Sequence, residues 1–241
     1  RREGLDDMLT WISLEWAMIR LHEITGDGGL LDFCVLTRRL PAWNPPIVLG
    51  RWGRVEGHVY GYLVRCLAQL RLHRLRPQAA LLRPTRRALE FMIRGNGQLI
   101  TGAVGDSECW HDSQDGGWSL GETCASAYLL TLLDELLQQE QKSFYGDLME
   151  RIVHNTLFAA QSPDGRRLRY YTAIDGPRSY WKNDVYCCPN NFRRIVSELP
   201  GLIAYRRGQG LAFNLYSACT LETRAAGTVP LAVQVETDYP A

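Results

Sequence analysis

Adjacent cysteines Cys187 and Cys188, followed by Pro189 and the polar run Asn190-Asn191-Phe192-Arg193-Arg194, are the residues of this chain best suited to chemistry. Three readings are open for such a pair. A disulfide between neighbours is strained, because consecutive Cα atoms lie about 3.8 Å apart and a bridge wants roughly 4.4–6.8 Å. Two buried thiols packing as small apolar groups is the plain alternative. The third reading joins them to Glu122 and Cys124, a carboxylate and a third thiol in a second polar, turn-like stretch. Together they make a Cys₃Glu set of the kind zinc takes, with thiolate and carboxylate ligands in fourfold coordination.

Spacing limits where such residues can sit. Positions i and i+2 do not share a helix face, so Glu122 and Cys124 converge on one ion only from a loop or a helix start. Adjacent Cys187 and Cys188 need the same freedom. Pro189 biases Cys188 away from helical backbone, which predicts a helix beginning only after the proline.

The elements that must position these residues read as paired helices. Leu5, Met8, Leu9, Ile12, Trp16 and Ile19 form an amphipathic stripe ending near Gly26-Asp27-Gly28-Gly29, and a second helix runs through Leu30 to Val35. A loop follows, rich in proline and glycine (Pro41, Pro45, Pro46, Gly50, Gly53, Gly57). Loops of that length often line sites. It delivers His58 to the start of a helix over about 58–75. Pro84 opens and Gly95 closes the next. Residues 101–121 are polar and glycine-rich, carry Asp106, Glu108, His111, Asp112 and Asp115, and read as an active-site loop in which His111 is solvated. Helices are expected again over about 125–139 and 147–160, then a turn at Ser162-Pro163-Asp164-Gly165 and a short strand over 168–172. A helix through Ile195 and Leu199 ends at Pro200-Gly201. Beyond residue 209 the apolar period changes from 3.6 to 2, at Leu211, Phe213 and Leu215 and again at Leu231, Val233 and Val235, predicting strands.

The motif Cys-Cys-Pro-x-Asn-x-x-Arg over 187–194, with Glu122-Thr123-Cys124-Ala125-Ser126, resembles the β-L-arabinofuranosidase family, glycoside hydrolase family 127 and its close relatives. Glu56-Gly57-His58, Ile100-Thr101-Gly102 and Thr237-Asp238-Tyr239-Pro240 agree in order and spacing. The resemblance implies an (α/α)₆ barrel followed by β-sandwich domains. Residues 1–208 would be the C-terminal portion of the barrel and 209–241 the truncated start of a β-sandwich. It implies a retaining glycosidase acting on glycans of the plant-cell-wall type, with zinc held by Glu122, Cys124, Cys187 and Cys188 and with Cys187 also the nucleophile. Glu108 falls where the family carries its acid/base glutamate, although the segment to Glu122 is shorter here, and Asp106 is its rival. A working acid there needs burial and a ring such as Trp110 beside it. His58 and Tyr170 match sugar-binding positions, while Asn191 and Arg194 brace the cysteine loop. One departure concerns substrate: Val185 stands where the family's arabinofuranosidases tend to carry a histidine. A non-catalytic structural-zinc fragment, a family member for another sugar and a carbohydrate-binding module are the alternatives.

Composition narrows the partners. The 241 residues carry 27 basic and 26 acidic side chains for a net charge of +1, which draws the chain neither to nucleic acid nor to an anionic membrane. No apolar run approaches the roughly 20 residues of a membrane helix. No targeting segment is visible, leaving cytoplasm and periplasm both open. The chain starts at Arg1-Arg2 and stops just after a strand, so the protein's ends are expected to lie outside it; the family resemblance, with about half of the barrel's helices present, implies that the rest comes from a longer chain or a partner. Of the seven cysteines, Cys34, Cys66 and Cys219 read as buried free thiols, Cys109 as a loop residue.

Overall fold

The computed structural model describes residues 12–52, 55–225 and 229–239. Leu5, Met8 and Leu9 of the opening stripe lie outside them, as does Pro240. Helix α1 (Leu14–Thr25) ends on Gly26, whose φ of 73° forms a left-handed cap with its N–H on the His22 carbonyl. In α2 (Gly28–Asp32) the Asp27 carboxylate caps the Gly29 N–H, and the helix runs on as a π-helical turn over Phe33–Thr37. The expected helical hairpin is present.

Next come α3 (Val59–Leu75), α4 (Arg83–Arg94) and α5 (Thr123–Glu140). Helix α6 (Ser143–Ile152) starts ahead of the expected Asp147 and continues through a π-helical turn, Val153–Leu157, to Ala160. Helix α7 (Cys187–Glu198) begins at the first cysteine, not after Pro189 as expected. The proline lies in the first turn, where its missing N–H has no intrahelical partner to lose.

Helices α3 and α5 pack on each other at the centre; α1 and α4 lie against α3, and α6 and α7 against α5. Both central helices are buried almost all round. A helix in that position must be apolar on most faces or answer its polar groups internally. On α3, Arg65 is answered by the buried Glu15 of α1 at 3.2 Å, and Glu15 also accepts from Arg38 at 2.7 Å. Gln69 donates to the Leu40 and Trp43 carbonyls at 2.9 and 2.8 Å. That seats the proline-rich loop on the outside of α3.

Among the described residues four short strands follow. β1 (Ala204–Arg207) pairs antiparallel with β2 (Gly210–Phe213), Tyr205 opposite Ala212. β3 (Cys219–Ala225) pairs with β4 (Val229–Val235), Leu221 opposite Val233. The expected strand over 168–172 is reduced to isolated bridges, Leu168 with Gln161 and Tyr171 with Glu122. Its partners are the residues flanking α6 and α5, which offer no further extended backbone. Cys34 and Cys66 are buried free thiols; Cys219 is half-buried, contrary to expectation, on a strand that belongs to a two-stranded sheet among the described residues. Among the described residues no helix is long and apolar enough to cross a membrane.

Candidate active site and metal centre

Three chain segments converge at the start of α5. Glu122 is its N-cap residue, with extended backbone (φ −65°, ψ 131°), and Cys124 lies in its first turn. The helix start supplies the freedom that an i, i+2 pair requires. Gly121, at φ 73°, sets this corner, since a Cβ there would lie 2.8 Å from the Thr172 carbonyl oxygen. The segment 170–172 runs alongside: Thr123 N–H bonds Tyr170 O at 3.0 Å and Thr172 N–H bonds Gly121 O at 3.0 Å. Cys187 and Cys188 enter from the start of α7, which packs on α5.

The sulfurs of Cys124, Cys187 and Cys188 all lie within 4.8 Å of one another, a group able to hold a metal ion. Cys124 and Cys188 sulfurs are 3.2 Å apart, and the Cys124 backbone N–H points at Cys188 Sγ at 3.3 Å. Glu122 Oε1 is 3.9 Å from Cys188 Sγ, so the carboxylate stands beside this group rather than inside it. Its other oxygen, Oε2, is buried with no hydrogen-bond partner among the described residues. A fully buried carboxylate with an orphaned oxygen is costly unless a cation or proton answers it. Burial pushes the Glu122 carboxyl well up, with Glu108 and Cys187 adding to the effect. Three soft sulfurs with one such carboxylate fit a zinc-type ion.

Cys187 is the half-buried member of the set. Hydrogen bonds from Cys124 and Cys188 hold its thiol below the usual range, and the Tyr170 hydroxyl adds to this at 3.0 Å. Burial, with hydrogen bonding between neighbours, drives Cys188 the opposite way, and burial likewise raises Cys124. Of the three sulfurs, Cys187 is the one whose surroundings favour the thiolate, and it is also the least buried.

Tyr170 links the cluster to Glu108: its hydroxyl is also within hydrogen-bond reach of Glu108 Oε1, the single proton serving one of the two partners at a time. Trp52 Nε1 donates to Glu108 Oε2, and His58 Nε2 lies 3.7 Å from that oxygen. Glu108 and Ser107 are consecutive non-glycine residues at positive φ, 69° and 50°. Paired backbone bonds between Asp106 and Cys109, at 2.9 and 2.8 Å, close the tight turn that carries them. Such turns demand positive φ at both central positions. Asp106, the rival acid, accepts from the Ser107 and Ser119 hydroxyls at 3.1 and 2.6 Å and so braces the turn. The turn is tied to the proline-rich loop, with Val59 N–H on Glu108 O and Trp110 N–H on Gly57 O, each at 3.0 Å.

His58 is buried at the α3 N-cap; desolvation keeps its imidazole neutral against the opposing pull of Glu108 and Cys187. Its ring meets Tyr60 edge-on at 4.3 Å, and Tyr60 stacks on Tyr128 at 5.6 Å. Trp110 lies in the core against Tyr62 and Phe91 rather than on Glu108; the ring on Glu108 is that of Trp52. His111 is half-buried, not solvated, and burial lowers its basicity. Trp52, Tyr60 and Trp181 escape the sequence reading. For Trp52 a signal existed in the length of its loop. Trp181 packs on the Tyr170 ring at 4.7 Å and on Tyr186 at 5.5 Å, making an aromatic wall beside Cys187. Val185 is 83% exposed and offers no polar group to this wall.

Comparison with known proteins gives this arrangement a lineage. The sequence profile of the beta-L-arabinofuranosidase GH127 catalytic domain matches residues 11–201. The chain belongs to this family. A curated non-reducing end beta-L-arabinofuranosidase of Bifidobacterium longum subsp. longum is 26% identical over 197 residues, covering 72% of this chain and 30% of the relative. Two solved GH127 structures share the fold: a beta-arabinofuranosidase (TM-score 0.77, 22% identity, 94% of this chain and 38% of that one) and a beta-L-arabinofuranosidase from Geobacillus stearothermophilus T6 (TM-score 0.73, 21% identity, 94% and 43%). This GH127 chain therefore spans less than half the length of each of these relatives.

Proposed function

We propose that this chain carries the catalytic residues of a retaining glycoside hydrolase of β-L-arabinofuranosidase type, acting on terminal sugars of plant-cell-wall-type glycans. The observation that carries the reading is the Tyr170 hydroxyl, which touches both Cys187 Sγ and the Glu108 carboxylate. A nucleophile and a carboxyl group within reach of one hydroxyl can flank a single glycosidic bond. The helices belong to an (α/α)₆ barrel, and the strands, which begin at Ala204 rather than beyond residue 209 as expected, open a β-sandwich; the remaining barrel helices come from a longer chain or a partner.

Cys124, Cys187, Cys188 and Glu122 would hold a zinc ion, and zinc when bound keeps thiols ionised and fixes their direction. Cys187 attacks the anomeric carbon while Glu108 gives its proton to the leaving oxygen, breaking the glycosidic bond and forming a thioglycoside on Cys187. Glu108, now a carboxylate, takes a proton from water as that water displaces the sulfur and returns the sugar with its configuration retained. Tyr170 keeps both groups aligned, and His58, neutral, presents a ring nitrogen to the same carboxylate. Trp52, beside Glu108, and Trp181, beside Tyr170, offer apolar faces to a sugar ring.

Replacing Cys187 with serine is expected to abolish turnover of an aryl β-L-arabinofuranoside with the circular dichroism spectrum unchanged; retained turnover overturns the cysteine mechanism. Val185 favours a second reading, in which a different sugar is the preferred substrate, and a panel of aryl furanosides and pyranosides separates the two.

A further inference from the structure

Asn191 lies one helical turn beyond Cys187 on α7 and its side-chain amide is oriented from both sides. Its Oδ1 accepts from Arg194 Nε at 3.4 Å. A guanidinium only donates, so the carbonyl end of the amide must face Arg194. Arg194 is itself held, with its guanidinium carbon 4.7 Å over the Tyr128 ring, Nη1 3.4 Å from Thr131 Oγ1 and the same nitrogen 3.0 Å from Glu198 Oε2. The NH₂ end of Asn191 is thereby turned to the cluster, where Nδ2 stands 3.2 Å from the buried Cys124 Sγ. An amide NH₂ has no acceptor capacity, so this sulfur must receive the hydrogen bond.

We propose that Asn191 is a positioning residue for Cys124, its fixed N–H donor holding that sulfur in the metal-ligating orientation, with Arg194 as the lock that prevents the amide from turning over. Cys188 receives a comparable donor from the Cys124 backbone N–H at 3.3 Å. The two buried sulfurs are thus each given a donor before any ion arrives. The inference rests on the reading of the cluster as a metal centre, and it assigns to two residues outside the ligand set a measurable share of the affinity.

Asn191→Asp keeps the shape and the Arg194 contact but replaces the donor by an anion against sulfur. Arg194→Gln frees the amide to flip. Zinc affinity is measured by competition with a chromogenic chelator on reduced protein, and the thiolate-to-metal absorption of the cobalt(II) form is recorded for each. Asn191→Asp is expected to weaken zinc binding about 10–100-fold, the usual range for groups that orient metal ligands, and to displace the cobalt band. Arg194→Gln should lose less, about tenfold, with the same band displaced, while the thermal midpoint of the metal-free forms stays near that of the parent. A parent that binds zinc, with both variants within twofold of it and identical cobalt spectra, overturns the proposal. A loss in Asn191→Asp alone removes the lock and keeps the donor. If Asn191→Asp does not fold, Asn191→Ala, which deletes the donor, takes its place under the same criteria. A parent that binds neither metal overturns the metal-centre reading itself and this role with it.

Discussion

Replacing Tyr170 with phenylalanine removes one hydroxyl and its two contacts, with Cys187 Sγ at 3.0 Å and with Glu108 Oε1, while leaving the ring packed on Trp181 and Tyr171. The hydroxyl is one of the groups that hold the Cys187 thiol low, after the stronger hydrogen bonds from Cys124 and Cys188. A hydrogen bond to an ionised group contributes about 1.5–3 kcal/mol, and about 1.4 kcal/mol corresponds to one pKa unit. The midpoint for ionising Cys187 in metal-free, reduced protein should therefore rise by about 1–2 pH units in Tyr170→Phe. The assay is the pH dependence of iodoacetamide alkylation, with the Cys187 peptide quantified by mass spectrometry; the half-buried sulfur is accessible to the reagent. The same energy predicts turnover lowered about 10–100-fold, since both reacting groups lose their shared partner. An alkylation midpoint unchanged by the substitution would refute the claim that Tyr170 stabilises the Cys187 anion.

Two further outcomes follow from buried charge. His58 is kept neutral by burial, with Glu108 and Cys187 as the facing charges that partly oppose this. The unfolded chain takes up the proton near pH 6.5 while the folded one resists it, so stability should fall as pH drops below about 6.5. His58→Gln should flatten that part of the urea-midpoint profile. Glu15, fully buried between Arg38 and Arg65, anchors α1 to α3. Glu15→Gln takes the anion from beside two guanidiniums and should cost about 3–5 kcal/mol in urea unfolding; a loss below about 1 kcal/mol would show that the pair is dispensable.

Much of the helical frame was legible because period and punctuation agree there. Pro84 at the start and Gly95 at the end of α4, the glycine stop of α1 and the wide leucine face of α5 each leave one local answer. The α7 start was misread because the rule applied to Pro189 concerned the residue before it, whereas the first helical turn needs no N–H from proline. The strand over 168–172 failed for a tertiary reason, since its partners are helix-flanking residues with one bridge each to give. The residues brought together at the candidate site were readable as types, and their convergence was readable through the family resemblance. What no local pattern carries is the pair of positive-φ residues at Ser107 and Glu108, which aims Glu108 at Tyr170. Nor does it carry the exchange of Trp110 for Trp52 as the ring on that carboxylate, because the bonds joining the loops 50–59 and 104–110 fix which tryptophan points inward.

The measurement that bears most directly on this account is zinc per chain, by elemental analysis of reduced, freshly purified protein, for the parent, Cys124→Ser and Glu122→Ala. The account predicts one zinc per chain in the parent. It predicts a substantial loss in both variants, the second because the proposed zinc site uses the orphaned Glu122 oxygen as its fourth ligand. A folded parent without zinc, or a parent whose zinc is untouched by losing Cys124, would contradict it.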